Sequence, residues 1–208
     1  MGASVGAAID TPDDCQMTGA GGDKVSLICR LRTINSELDT TNFSVIPARV
    51  TISLEVECSD VLFFQSALRN KSFVQLTRLR QLQIEYCKIG EVPRDAFAGL
   101  GNLQNLTLKT FNTDCTLPPE LFKENKRLTK LYARNNSITV LAPGLFTGLY
   151  MLLELNLADN DLTNTWVNSE TFMDLLRLAS LDLSHNKISR LDAATFRDLT
   201  NLQVWTFA

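Results

Sequence analysis

The 208 residues are 45% apolar and 21% charged, with ten glycines and six prolines, a make-up that fits an ordinary folded protein of one or two domains and excludes disordered, collagen-like and low-complexity chains. Twenty basic residues against twenty-three acidic ones leave a net charge of −3 at pH 7, so there is no broad positive field for nucleic acid or an anionic membrane, and neither is expected as the main partner. Leucine alone accounts for 33 residues, which points to an internal repeat.

Met1 to Ile9 lack the basic start and apolar core of a secretory signal, so a signal is expected to be absent or the start incomplete. No run approaches the ~18 to 20 apolar residues of a membrane-spanning helix. Residues 1–14 are expected to be an unstructured start, followed by a cap region over 15–49. Within it, Cys15 and Cys29 bracket the turn Gly19-Ala20-Gly21-Gly22, and Val25 to Leu31 is strand-like. Cys15 to Leu31 therefore reads as a hairpin stapled by a Cys15–Cys29 disulfide and covering the first open edge of a sheet. Val50 to Cys58 alternates apolar and polar residues as a half-buried strand does, and opens an irregular first repeat over 50–78.

Five cysteines with no C-x-x-C spacing and a single histidine exclude a zinc site and favour disulfides. Cys58 and Cys87 are candidates for a further cystine, the pairing among Cys58, Cys87 and Cys115 being open, and the odd count leaves one thiol over. Sequons at Asn42, Asn70, Asn105 and Asn135 add to the case for the secretory pathway.

From residue 79 the template L-x-x-L-x-L-x-x-N-x-L recurs: Leu79-Leu82-Ile84-Cys87-Ile89, Leu103-Leu106-Leu108, Leu128-Leu131-Ala133-Asn136-Ile138, Leu152-Leu155-Leu157-Asn160-Leu162 and Leu178-Leu181-Leu183-Asn186-Ile188. First positions are 24, 25, 24, 26 and 24 residues apart, the last being Leu202, the start of a truncated sixth repeat over 202–208 after five over 79–201. That spacing identifies an α/β leucine-rich repeat solenoid with a curved, parallel concave sheet and an N-terminal cysteine cap. On each short strand the fourth and sixth positions point inward and the third, fifth and seventh outward. Asn136, Asn160 and Asn186 are expected to form a buried amide ladder for backbone groups leaving the sheet. Phe97, Phe122, Phe146, Phe172 and Phe196 recur on the convex side. Val204, Trp205 and Phe207, on the uncapped last repeat, are expected to invite self-association.

The concave face displays the candidate binding residues Arg80, Tyr86, Lys130, Tyr132, Arg134, Glu154, Asp159 and Asp182, with positive charges early and negative ones late. Five strands at ~4.8 Å, each showing ~5 residues at ~3.3 Å, expose roughly 400 Å², about half the ~800 Å² per partner of a standard interface. High-affinity recognition would thus need the flanks, a dimer or further repeats, and a glycan on Asn105 would block part of the face. Ser184 and His185 are consecutive on one strand and point oppositely, so with Asp182 they make no catalytic set. No enzyme, cofactor or metal is expected.

The run Arg30-Leu31-Arg32-Thr33-Ile34-Asn35-Ser36-Glu37, with Asn42-Phe43-Ser44-Val45-Ile46-Pro47, Ile84-Glu85-Tyr86-Cys87-Lys88 and Leu103-Gln104-Asn105-Leu106-Thr107, resembles the amino-terminal ectodomain of the insect long Toll receptors. A second block from Leu117-Pro118-Pro119-Glu120 to Ile188-Ser189-Arg190-Leu191 resembles the same family. The resemblance implies an extracellular or plasma-membrane receptor part that binds a protein ligand, a Spätzle-like cystine-knot cytokine or another cell-surface protein, in innate immune or developmental signalling. In that family several repeats separate the two blocks, which here meet near Thr113-Asp114-Cys115, as after an internal deletion. Against that resemblance, the family's signal peptide, later repeats, carboxy-terminal cysteine cap, membrane helix and TIR domain are expected to be missing from these residues. The alternatives are a secreted or cell-surface adhesion or decoy module without signalling, and a nonfunctional fragment.

Overall fold

A computed structural model describes residues 11–21, 23–36, 41–59, 64–110 and 115–207. Residues 1–10 of the expected unstructured start, Gly22 of the cap turn, and 111–114 at the join between the two blocks lie outside the described residues. Eleven strands are present among them: β1 Cys15–Gly21, β2 Lys24–Leu31, β3 Thr51–Cys58, β4 Gln81–Glu85, β5 Asn105–Lys109, β6 Cys115–Leu117, β7 Lys130–Tyr132, β8 Ile138–Leu141, β9 Glu154–Asn156, β10 Ser180–Asp182 and β11 Val204–Thr206. Nine form one sheet in the order β1-β2-β3-β4-β5-β7-β9-β10-β11, while β6 and β8 pair in a second, two-stranded sheet.

The main sheet follows from the leucine spacing. Only β1 and β2 pair antiparallel, with Cys15 opposite Cys29; every later pairing is parallel. Leu27, Leu54, Leu82, Leu106, Leu131, Leu155, Leu181 and Trp205 stand in one register across eight strands. The seven leucines of this column are buried. A one-residue slip would turn the whole inward set of a strand outward, so the buried column fixes the register. Trp205 on the last strand is 49% exposed and stacks on Phe207, with ring centroids 5.3 Å apart.

The convex side closes the core with fully buried Phe73, Phe97, Phe122, Phe146 and Phe172. Phe97 stacks on Phe122 at 6.1 Å and Phe146 on Phe172 at 6.2 Å. Phe196 is only half-buried and leans on Trp205 instead. Asn125 stands where the neighbouring turns carry Leu100, Leu149 and Leu175, and its amide donates to the carbonyls of Phe97 and Leu100. The convex connections are turns, with 3-10 segments only at Phe43–Val45 and Ala193–Phe196 and no α-helix among the described residues. The α/β repeat class thus takes its helix-poor form here. After strand and turns, a repeat of this length leaves too little chain for a helix to be stable by itself. Gly99, Gly148 and Asp174 each precede the next repeat's first leucine by four residues, and all three are left-handed, at φ 84°, 87° and 65°.

Two disulfides lie at the N-terminal end. Cys15 and Cys29 join β1 to β2, and Cys58 and Cys87 join the end of β3 to the residues just past β4. Cys115, the fifth cysteine, is buried at the start of β6.

Candidate functional site

The concave face is held by what happens where each strand ends. The eighth repeat position is left-handed in four repeats: Tyr86 at φ 61°, Asn135 at 60°, Asp159 at 53° and His185 at 55°. Asn, Asp and His tolerate this conformation better than other side chains, so three of the four were readable as turn residues; Tyr86 was not. The N–H groups of Tyr86, Asn135 and Asp159 donate to Lys109, Ala158 and Ser184 in the following repeat. The ninth residue then turns inward. Asn160 Oδ1 accepts from the N–H groups of Asn136 and Ile138, both at 3.0 Å, and its Nδ2 donates to the carbonyls of Ala133, Leu157 and Ala158. Asn136 Oδ1 likewise accepts from Thr110 N and Oγ1, and Nδ2 donates to Leu108 and Arg134. Asn186 accepts from Leu162 N and donates to Leu157, Leu183 and Ser184, but it is only half-buried. In the first of these repeats Cys87 fills the ninth position, and its bond to Cys58 stands where the amide would be.

On this scaffold the outward side chains form three rows. One row runs Ser26, Ser53, Gln81, Asn105, Lys130, Glu154, Ser180 and Val204. The next runs Ile28, Glu55, Gln83, Thr107, Tyr132, Asn156, Asp182 and Thr206. The third begins Arg30, Glu57, Glu85, Lys109. Eight parallel strands rather than five make the face, and at ~4.8 Å per strand it spans roughly 600 Å², nearer to one side of a standard interface.

The structure brings several of the candidate residues together. Lys130 Nζ lies 2.8 Å from Glu154 Oε1, and the Tyr132 hydroxyl donates to Glu154 Oε2. Hydrogen bonds from Lys130 and then Tyr132 hold the Glu154 carboxyl below its ordinary range. The bond to Glu154 raises Lys130 in turn, while burial first and the Glu154 bond second push the Tyr132 hydroxyl up. Arg134 Nε meets Asp159 Oδ2 at 2.5 Å. Lys109 Nζ sits 5.1 Å from the centre of the Tyr86 ring, a cation–π contact. Asp182 accepts from Thr206 Oγ1, Ser184 Oγ and Asn156 Nδ2. Burial raises its pKa, but the Thr206 and Ser184 hydrogen bonds outweigh that and leave it lowered. Ser184 therefore spends its hydroxyl on Asp182, and His185 stands exposed beside it. Arg80 is exposed just before β4.

The expected division into early cations and late anions does not hold, because β3 is part of the face and brings Glu55 and Glu57 to its N-terminal third. Glu57 faces Arg30 on one side, with Nε to Oε2 at 3.2 Å, and Glu85 on the other. Burial first, then the charges of Glu57 and Glu85, push the Glu55 carboxyl up. Further along, the cations Lys130 and Arg134 are matched by Glu154 and Asp159 one repeat on. A depression of about 670 Å³ lies between these groups, lined by Thr107, Lys109, Tyr132, Arg134, Asn135 and Asp159.

A second ladder, on the flank leading into the strands, escaped sequence reading. The residue before the first leucine reaches back one repeat: Asn102 Nδ2 donates to Thr77 O and Asn201 Nδ2 to Leu176 O. Arg127 closes the set by donating to Asn102 Oδ1. Its signal was the recurrence of Asn at one repeat position, which carries no hydrophobic period.

Stacked parallel strands, an in-register leucine column and amides at the strand exits define a leucine-rich repeat protein. The Leucine rich repeat family profile matches residues 115–164 and 165–204. Toll-like receptor 7 of Drosophila melanogaster is 37% identical over 179 residues, covering 78% of this chain and 12% of that protein. Podocan of Mus musculus is 33% identical over 138 residues, covering 64% of this chain and 21% of podocan. The chain thus spans about an eighth to a fifth of the length of these relatives. Among solved structures, the TLR13–ssRNA13 complex superposes with a TM-score of 0.55 at 28% identity, over 76% of this chain and 25% of the other. No helix among the described residues is long and apolar enough to cross a membrane.

Proposed function

We propose that the chain is an extracellular, partner-recognising part of a Toll-type receptor, of the insect long Toll or Tollo kind, with an internal run of repeats missing at the join near Cys115. Its partner is a protein: a Spätzle-like cystine-knot cytokine or another cell-surface protein, held in innate immune or developmental signalling. The observation that carries this reading is the concave face itself, two rows of largely polar side chains across eight strands and a third over the first four, with strand ends tied by amides and a disulfide. A protein partner is favoured over nucleic acid because the net charge is −3 and the cations Lys130 and Arg134 already face carboxylates. The likeness to podocan supports a second reading, an adhesion or decoy module without signalling. We also propose that a chain of these 208 residues self-associates through exposed Val204, Trp205 and Phe207, an apolar strand edge.

Biolayer interferometry of the folded, secreted chain against a purified Spätzle-family cytokine tests the reading. Saturable binding that falls at least tenfold on Glu57→Lys or Glu85→Lys, and is unmoved by Lys123→Ala on the convex side, is expected for about 1.4 kcal/mol or more per contact. Absence of binding, alongside adhesion of the same chain to cells, favours the adhesion module.

A further inference from the structure

Two of the four sequons sit on or beside the middle of the concave face, and two do not. Asn42 is exposed ahead of the Phe43–Val45 turn, and Asn70 is exposed in the convex connection before Phe73. Asn105, by contrast, opens β5 in the row of Gln81 and Lys130, with its side chain outward. Its Oδ1 accepts from Thr129 Oγ1 at 3.4 Å, while the Nδ2 that a sugar would join donates to no described residue. Two residues along the same strand is Thr107, which lines the central depression. Asn135 lines that depression directly. It is exposed, left-handed at φ 60°, and only its backbone N–H is engaged, to Ala158 O. The next residue, Asn136, is buried in the ladder, so the glycosylatable amide and the structural one are adjacent and point to opposite sides.

We infer that N-glycans on Asn105 and Asn135 cover the depression from two sides and close the middle of the concave face, over β5, β7 and β9, to a protein partner. The partner then reaches the sheet at its N-terminal third, where Arg30, Glu55, Glu57 and Glu85 lie and no sequon falls. Charge pairing in the middle agrees with this division. Lys130 with Glu154 and Arg134 with Asp159 complement each other within the sheet, whereas the β3–β4 end keeps carboxylates side by side. A glycan is bulky and hydrated, so covering a row of paired charges displaces little binding capacity. The inference rests on the extracellular reading above, since N-glycans are added only in the secretory pathway.

The test needs no partner, so it can fail while the protein-binding reading survives, and the reverse. The full chain is secreted from insect cells behind an added leader, and site occupancy is read by glycopeptide mass spectrometry. The folded protein is then acetylated under limiting reagent. Labelling of Lys109 and Lys130 is compared with that of Lys123, on the convex side, as an internal reference. The expected result is occupancy at Asn105 and Asn135, with labelling of Lys109 relative to Lys123 rising several-fold in Asn105→Gln, in Asn135→Gln and after enzymatic removal of glycans from the folded wild type. The enzymatic arm guards against a variant that folds poorly. Empty sequons at both positions overturn the inference, and so does occupancy with unchanged Lys109 labelling after the glycans are removed.

Discussion

The two ends of the solenoid keep the same strand register by different means. From β7 to β10 each strand exit is tied to the preceding repeat by an asparagine amide with four or five hydrogen bonds, whereas from β1 to β4 the same task falls to two disulfides. The exchange is most direct at the ninth position, where Cys87 replaces the asparagine and Cys58 replaces the backbone groups it would serve. The irregular repeat before it, with Cys58 and Cys87 separated by 29 positions in sequence, does not present carbonyls and amides at the regular spacing that an amide can bridge. A covalent link needs only two sulfur atoms within reach, and so tolerates a longer, less periodic connection.

The largest expected effect comes from breaking the N-terminal device. Replacing both Cys58 and Cys87 by alanine opens a loop of that size and should cost about 3 to 4 kcal/mol, read as a lowered urea midpoint. Pairing Cys58→Ala with Cys87→Asn sharpens the comparison: if the cystine and the amide are alternatives at one position, about 1 kcal/mol should return. No recovery would show that the two devices are not interchangeable.

Within the asparagine end the effect should grade with burial. Asn160→Ala strands buried N–H and C=O groups of two repeats and should cost about 3 kcal/mol, while the same change at half-buried Asn186, whose groups water can reach, should cost about 1 kcal/mol. Equal losses by chemical denaturation would contradict the grading. The glycine changes stay below the Asn160 loss. Gly99→Ala forces a side chain into the left-handed region and sets its Cβ 2.8 Å from Val74 Cγ2 and 3.0 Å from Val74 O, whereas Gly148 has open space around it. The first should cost about 2 kcal/mol and the second about 1 kcal/mol in thermal melts.

The smallest effect is electrostatic and has opposite signs at the two ends. Glu55 has its carboxyl pKa raised in the folded protein, so it binds a proton more readily folded than unfolded, and its contribution to stability improves as pH falls through that raised value. Glu154 has its pKa lowered by Lys130 and Tyr132; its stabilisation is present above the unfolded value and is lost as pH falls through the folded one. Melting temperatures across the acid range should therefore change in opposite directions for Glu55→Gln and Glu154→Gln relative to wild type. Parallel shifts would refute the assignment.

Much of this architecture is legible in the sequence because a leucine-rich repeat writes its register into spacing. Leu82, Leu106, Leu131, Leu155 and Leu181 recur at nearly constant intervals, so the strands they centre and their neighbours follow at once. Features without a period are less visible. β6 is three residues, Cys115–Leu117, followed by Pro118 and Pro119, and it exists because β8 offers it an edge. Glu55 and Glu57 read as the wet side of a half-buried strand ahead of the template repeats, and the in-register pairing of β3 with β4 makes them part of the concave face. Lys130 and Glu154 are separated by one repeat length and of opposite sign, so their contact could have been inferred; the hydroxyl of Tyr132 completing the set could not, because its direction depends on side-chain packing.

Hydrogen–deuterium exchange with and without a disulfide reductant tests the central claim that cystines hold one end of a single sheet and amides the other. Reduction should release amide protection across β1 to β4 and leave β7 to β10 close to their oxidised values. Loss of protection that is uniform along the chain, or that begins in β7 to β10, would contradict it.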